Sequence, residues 1–161
     1  MAVTVAPITA DVVDALLPRL RPIDRLELDC MGTGDARADL LRLAAQSRRC
    51  RAAYMDGDLV CIFGVKAATA MSDTGFPWAL TTRAVDRPQV RREFVAGSLV
   101  GVEWLGQDFR RLWNLVAEEN LAARRWLRWI GFRFDAEKTV VLQGHRFLHF
   151  EMEMNLVSEG S

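Results

Sequence analysis

The sequence predicts a single α/β domain with a mixed central sheet and helices on both faces. Three observations predict it. Strand-like and helix-like segments alternate along 161 residues, a length that suits one domain with a sizeable core. Asp56-Gly57 stands between two apolar runs and supplies the positive-φ residues a tight hairpin needs. The stretch from Asn120 to Gly131 reads as one helix with both ends marked. Asn120 can accept an orphan backbone N–H at its start, and Gly131 can adopt the left-handed conformation that stops it. Ala123, Trp126, Leu127 and Ile130 share one face of that helix, and Arg124, Arg125 and Arg128 lie on the other.

The remaining elements follow in order. Val3 to Ala6 is a short apolar strand. Thr9 caps a helix running to about Leu20, with Asp11 and Asp14 early, where the helix dipole favours acids. Pro22 opens a second short helix, Met31 to Gly34 forms a loop, and Asp35 to Ser47 is an amphipathic helix. Arg51 to Val65 is the hairpin around Asp56-Gly57. Ala67 to Phe76 reads as a polar loop and Pro77 to Thr82 as a strand. Pro88 opens a long helix reaching about Trp104, because proline is tolerated at the first helical position. Phe94, Leu99, Val102 and Leu105 mark its buried side. Arg111 to Val116 is the next strand. Phe132 to Val141 and Phe147 to Met154 form a closing hairpin around Gln143-Gly144. The domain is expected to span residues 1–157, with 158–161 a disordered tail.

Composition narrows the function classes. Lys+Arg and Asp+Glu both number 21, so the formal net charge is zero. Balanced charge gives no global pull toward nucleic acid or a membrane surface. It also gives little colloidal repulsion, which favours a protein that assembles with others. Cys30, Cys50 and Cys61 show no metal-ligand spacing and are odd in number, which argues against zinc and against a disulfide framework. The expectation is reduced thiols, no metal, a cytosolic site of synthesis and no signal peptide at Met1 to Pro7. No apolar run is long enough to span a bilayer.

The motif Asn120, Ala123, Trp126, Gly131 and Phe132 resembles the N-x-x-A-x-x-(apolar)-Y-x-x-x-G-F helix of the GNAT fold, the acetyl-CoA-dependent N-acetyltransferase fold. The element order resembles that fold over nearly the whole chain. Within it, the chain is most similar to GNAT-like proteins of short-tailed bacteriophages, among them the internal virion protein family. The segments carrying that similarity are Arg21 to Leu28, Asp56 to Val65, Pro77 to Thr82, Leu112 to Val116 and Arg125 to Phe132. The resemblance implies a GNAT scaffold, acetyl-CoA as cofactor if the chemistry persists, and virion proteins as partners if it does not.

Two features let that fold transfer acetyl groups. One is a glycine-rich turn before the long helix, whose backbone N–H groups cradle the cofactor pyrophosphate. The corresponding stretch, Ala84 to Phe94, contains no glycine, Pro88 removes a donor, and Asp86 repels phosphate. Arg87, Arg91 and Arg92 could attract an anion there, or could be a solvated helix start. The other feature is a tyrosine that protonates the departing thiolate. By spacing from Asn120 and Gly131, Leu127 occupies that position and cannot donate a proton. Tyr54 reads as half-buried sheet filling, and His145 and His149 as a turn residue and an exposed strand residue. Asn120 could bond a cofactor amide or serve as a helix cap. Asn114 could reach the sheet opening or satisfy neighbouring backbone. Asp24 and Glu27 stand one helical turn apart, a carboxylate pair or a solvated face.

The sequence thus supports a phage virion structural or interaction protein on a catalytically degenerate GNAT scaffold, with no catalytic residue and no cofactor. It would be made in the host bacterial cytoplasm and packed in the internal core or head–tail region of the virion. Arg124, Arg125, Arg128 and Trp129 would form its partner-binding surface, since arginine and tryptophan are favoured at interface hot spots. The alternative is a divergent N-acetyltransferase, with Asn120, Arg87, Arg91 and Arg92 toward the cofactor. A nucleic-acid-binding module is a weaker third reading.

Overall fold

A computed structural model describes residues 2–154. The expected tail at 158–161 lies outside them. Seven strands form one sheet in the order β1-β2-β3-β4-β5-β7-β6. They are β1 (Val3–Ala6), β2 (Ser47–Met55), β3 (Asp58–Ala67), β4 (Thr74–Thr81), β5 (Arg111–Ala117), β6 (Arg133–Leu142) and β7 (His145–Glu153). Five helices accompany them: α1 (Ala10–Leu16), α2 (Pro22–Met31), α3 (Ala36–Gln46), α4 (Pro88–Gly106) and α5 (Leu121–Ile130). The β4–β5 pair is parallel, while every other neighbouring pair is antiparallel. The sheet is therefore mixed, as expected.

Strand alternation sends successive side chains to opposite faces, and each face buries a different set. Ile62 of β3 and Leu80 of β4 pack with Val12, Val13 and Leu16 of α1 and Leu40 of α3. Val65 of β3 and Leu112 and Val116 of β5 pack on the other face with Leu105 of α4 and Leu127 and Ile130 of α5. Each large aliphatic side chain fully buried in this way stabilises the fold by about 1.5–3 kcal/mol.

The local signals mostly act as read. The Thr9 hydroxyl accepts the Val12 N–H, the Asp35 carboxylate accepts that of Ala38, and the Asn120 side chain accepts that of Ala123. Asp56 and Gly57 take φ of 50° and 83° between β2 and β3. Gly131 ends α5 at φ 123°.

Four details differ from the sequence expectation. α1 stops at Leu16, and Leu17-Pro18-Arg19 tightens into a 3-10 turn, since Pro18 cannot continue the α-helical bonding. β4 begins at Thr74, inside the expected loop, because the Thr74 carbonyl accepts the Ala68 N–H and Gly75 pairs with Ala67. Leu99 is 47% exposed, on the outward side of α4. Between Asp135 and Val140 the β6–β7 register breaks, so residues 136–139 bulge out of the ladder.

Candidate functional site

β4 and β5 are paired at their beginnings alone, Thr74 with Arg111 and Gly75 with Leu112. Beyond that they part, and the gap between their carboxyl ends is the topological switch point where ligands of α/β sheets bind. Asn114 reaches across the gap: its amide donates to the Pro77 carbonyl at 2.8 Å, and its oxygen accepts the Leu115 N–H at 2.7 Å.

Helix α2 lies across those strand ends and sets two carboxyl groups against them. Asp24 is 8% exposed and accepts the Thr81 hydroxyl at 2.8 Å. Glu27 accepts the Asn120 amide N–H, and the Ala117 backbone N–H also favours its charged form. Burial pushes Asp24 up to about 6, although the Thr81 hydroxyl and Arg21 pull it down. Burial pushes Glu27 up to about 7, with the nearby Asp24 charge adding to the rise. Arg21, the cation that pulls both groups down, is itself paired with Asp86 at 3.5 Å. A buried and a half-buried acid one turn apart, both pushed up, hold a proton near neutrality. The solvated-face reading of Asp24 and Glu27 is therefore corrected. The signal was their Asp-x-x-Glu spacing, but its burial comes from where α2 docks.

Asn120 has two jobs. It is 5% exposed, caps α5 through Ala123, and turns its amide toward Glu27. Its neighbour Glu119 pairs with the His145 ring at 2.5 Å. His145, Gln143, Arg25, Asp29 and Cys30 line an open groove of about 380 Å³ between α2 and the β6–β7 turn. Burial and the acids Asp29, Glu119 and Glu27 push the Cys30 thiol up, so it stays protonated and is a poor nucleophile. His149 is 4% exposed and stacked on Trp113 with ring centroids 4.8 Å apart, which corrects the exposed-strand expectation. Burial pulls its pKa down, so it is a neutral packing residue.

The turn before α4 spends its donors on itself. The Ala84 N–H goes to the Thr82 hydroxyl, that of Val85 to the Thr82 carbonyl, and that of Arg87 to the Ala84 carbonyl. No open nest of N–H groups faces outward from those three residues. Arg87 pairs with Asp58 at 2.8 Å, and Arg91 reaches the Val85 carbonyl at 3.3 Å and Asp86 at 3.7 Å. Arg92 is exposed. These guanidinium groups match the charge of a phosphate, while the N–H groups of Ala84, Val85 and Arg87 are already engaged within the turn. Leu127 is 6% exposed and packs with Val116, Phe132 and Phe150, so the expected proton-donor position belongs to the core.

The Arg124, Arg125, Arg128 and Trp129 group is divided. Arg125, Arg128 and Trp129 are exposed, with Arg128 resting 4.9 Å over the Phe134 ring. Arg124 instead folds back to the Glu118 carbonyl at 2.8 Å and is half-buried, which removes it from the expected surface. Among the described residues no cluster of three metal-ligating side chains occurs, and no helix is long and apolar enough to cross a membrane.

No family model and no curated protein matches this sequence. Solved structures do match in shape. The ribosomal-protein-S18-alanine N-acetyltransferase of Escherichia coli superposes with a TM-score of 0.65 at 12% identity, covering 99% of both chains. A GNAT-family acetyltransferase of Streptococcus pneumoniae gives 0.62 at 14% identity, covering 95% of this chain and all of that one. An aminoglycoside acetyltransferase in complex with coenzyme A gives 0.64 at 16% identity, covering 94% of this chain and 95% of that one. Strand order, the parted parallel strands and the placement of α5 define the α/β fold that these structures share. The chain has the GNAT fold, as a single domain with a seven-stranded mixed sheet.

Proposed function

We propose that this chain is a divergent acetyl-CoA-dependent N-acetyltransferase in which Glu27 is the general base. The observation that carries this reading is the pairing of buried Asp24 with half-buried Glu27 at the carboxyl ends of the parted strands. A carboxyl group poised near neutrality is the device a proton acceptor for an ammonium substrate requires. Glu27 takes the proton, Asp24 holds its affinity high, and Asn120 fixes the orientation of its carboxylate. The amine would enter from the groove between α2 and the β6–β7 turn, which Asp29 and His145 line.

Bound acetyl-CoA would supply the reactive thioester carbonyl. Arg87, Arg91 and Arg92 would hold its phosphates by charge, in a turn that has no glycine. Leu127 leaves the departing thiolate to be protonated by water. A positioned acid contributes on the order of 10²–10⁴-fold, so the transfer is expected to be slow by that margin. Isothermal titration with acetyl-CoA, followed by thiol release with a panel of primary amines, tests the reading. Binding with amine-dependent release supports it, and absence of both overturns it.

Leu127 in the core and the self-bonded turn at 84–87 favour a second reading, the phage virion protein that uses the scaffold without the reaction. Its partners would be other virion proteins, met through Arg125, Arg128 and Trp129. Mass spectrometry of purified virions tests it: the chain should be present in stoichiometric amounts, and its absence from particles counts against it.

A further inference from the structure

We infer that the outer face of α4 is a docking surface for a second copy of this chain, with the two copies pairing α4 against α4 in antiparallel register. The helix is 19 residues long, and its inner side is spent on the core through Val90 and Leu105. At about 100° per residue, Arg92, Ala96, Leu99 and Glu103 fall on the opposite side, in one exposed stripe. A helix face left to solvent is ordinarily charged or polar. Here Leu99 is 47% exposed, and Val100 on its flank 69%.

The stripe is apolar in the middle and charged at its ends, with opposite signs. Arg91 turns away to the Val85 carbonyl and Asp86. Arg92 and Glu103 are exposed, and among the described residues neither forms an ion pair or a side-chain hydrogen bond. They stand about 16 Å apart along the helix.

This pattern complements itself under a two-fold axis. In an antiparallel pair of identical helices, the two ends of the stripe meet each other. Arg92 then stands level with Glu103 of the second copy, and the contact occurs twice. That register puts the axis between Gly97 and Ser98. It sets Leu99 against Ala96 of the second copy, a large side chain over a small one, as helix packing favours. Sliding one helix by a single residue would instead set Glu93 against Glu103, and like charges disfavour that alternative. A net charge of zero leaves no long-range repulsion between copies.

The surface is separate from the acid-pair site, because no residue lining the groove beside α2 lies on α4. Arg87 and Arg91 are held at the turn by Asp58 and Asp86. Of the arginines offered to the cofactor, the pairing therefore draws on Arg92 alone.

The test is sedimentation velocity of the full chain without cofactor, over a concentration series at low ionic strength. A concentration-dependent dimer is expected, weakened at least tenfold by Glu103→Arg and by Leu99→Gln and unchanged by Arg125→Gln on α5. Combining Arg92→Glu with Glu103→Arg restores opposite charges and should recover the dimer. A monomer at the highest soluble concentration overturns the proposal. So does a dimer that Glu103→Arg and Leu99→Gln leave unchanged, since another surface then holds it, or a double variant that does not recover. The substituted side chains are exposed, and unchanged melting temperatures verify folding. Glu103 and Leu99 have no part in the proposed acetyl transfer. Amine-dependent thiol release is expected to persist in Glu103→Arg, so failure of the dimer and failure of the reaction are read separately.

Discussion

At the scale of single residues, Asp24, Glu27 and Asn120 carry the proposed proton transfer. A carboxyl group whose folded pKa is raised binds its proton more tightly in the folded state than in the unfolded one. Its contribution to stability is present below the unfolded value and is lost as pH rises through the folded value. For this pair the loss falls between the ordinary carboxylate range and about 6 for Asp24 and about 7 for Glu27. The protein is therefore expected to melt at a higher temperature at about pH 5 than at about pH 8, apart from its other titrating groups. Asp24→Asn and Glu27→Gln should each flatten that dependence in thermal melts, and an unchanged slope would place the titration elsewhere. Asn120→Ala removes a helix cap and the amide facing Glu27, and should cost about 1–2 kcal/mol in denaturant titration. Asn120→Asp keeps a capping oxygen but faces Glu27 with a third carboxylate, so its penalty should shrink on acidification.

At the scale of elements, two glycines carry distinct constraints. Gly131 closes α5 at φ 123°, where a side chain is strained, so Gly131→Ala should destabilise by about 1 kcal/mol or more. Gly64 lies at φ where any residue is allowed, but a Cβ there would stand 2.6 Å from the Trp78 ring and 2.7 Å from the Arg49 carbonyl oxygen. Gly64→Ala should therefore cost about 1–3 kcal/mol through overpacking of β3 against β2 and β4. Melting curves of the two variants check both figures, and a neutral Gly64→Ala would mean that the sheet relaxes.

The elements were legible because residues mark their ends: Thr9, Asp56-Gly57, Pro88, Asn120 and Gly131 each act through contacts within a few positions. What was illegible depends on distant chain. Asp24 and Glu27 read as solvated because charged residues one turn apart usually are; their burial follows from α2 crossing the ends of β4 and β5. His149 was likewise read from its strand, while Trp113 of β5 covers it. The bulge at 136–139 leaves no turn signal of its own. Leu127 could be judged from the motif alone, because what matters there is the chemistry of one side chain.

At the scale of the molecule, the fold and its site diverge. The scaffold is that of N-acetyltransferases over nearly its full length, but at 12–16% identity the likeness carries shape alone. At the strand ends the chain has an acid pair pushed toward neutrality, with leucine at position 127 and no glycine in the turn before α4. Leu127→Tyr would not restore the missing acid cheaply. Leu127 is 6% exposed within an apolar cluster, so a phenol there needs both space and a hydrogen-bond partner. We expect a loss of about 1–3 kcal/mol in stability, measurable by denaturant midpoint, and no gain in turnover.

If Glu27 accepts the proton of an amine substrate, the pH profile of kcat/KM for acetyl-CoA-dependent thiol release with a primary amine must depend on it. The natural chain is expected to rise with an apparent pKa near 7, and Glu27→Gln to lose on the order of 100-fold and that inflection with it. An unchanged profile in Glu27→Gln, or no amine-dependent release at any pH, would contradict it.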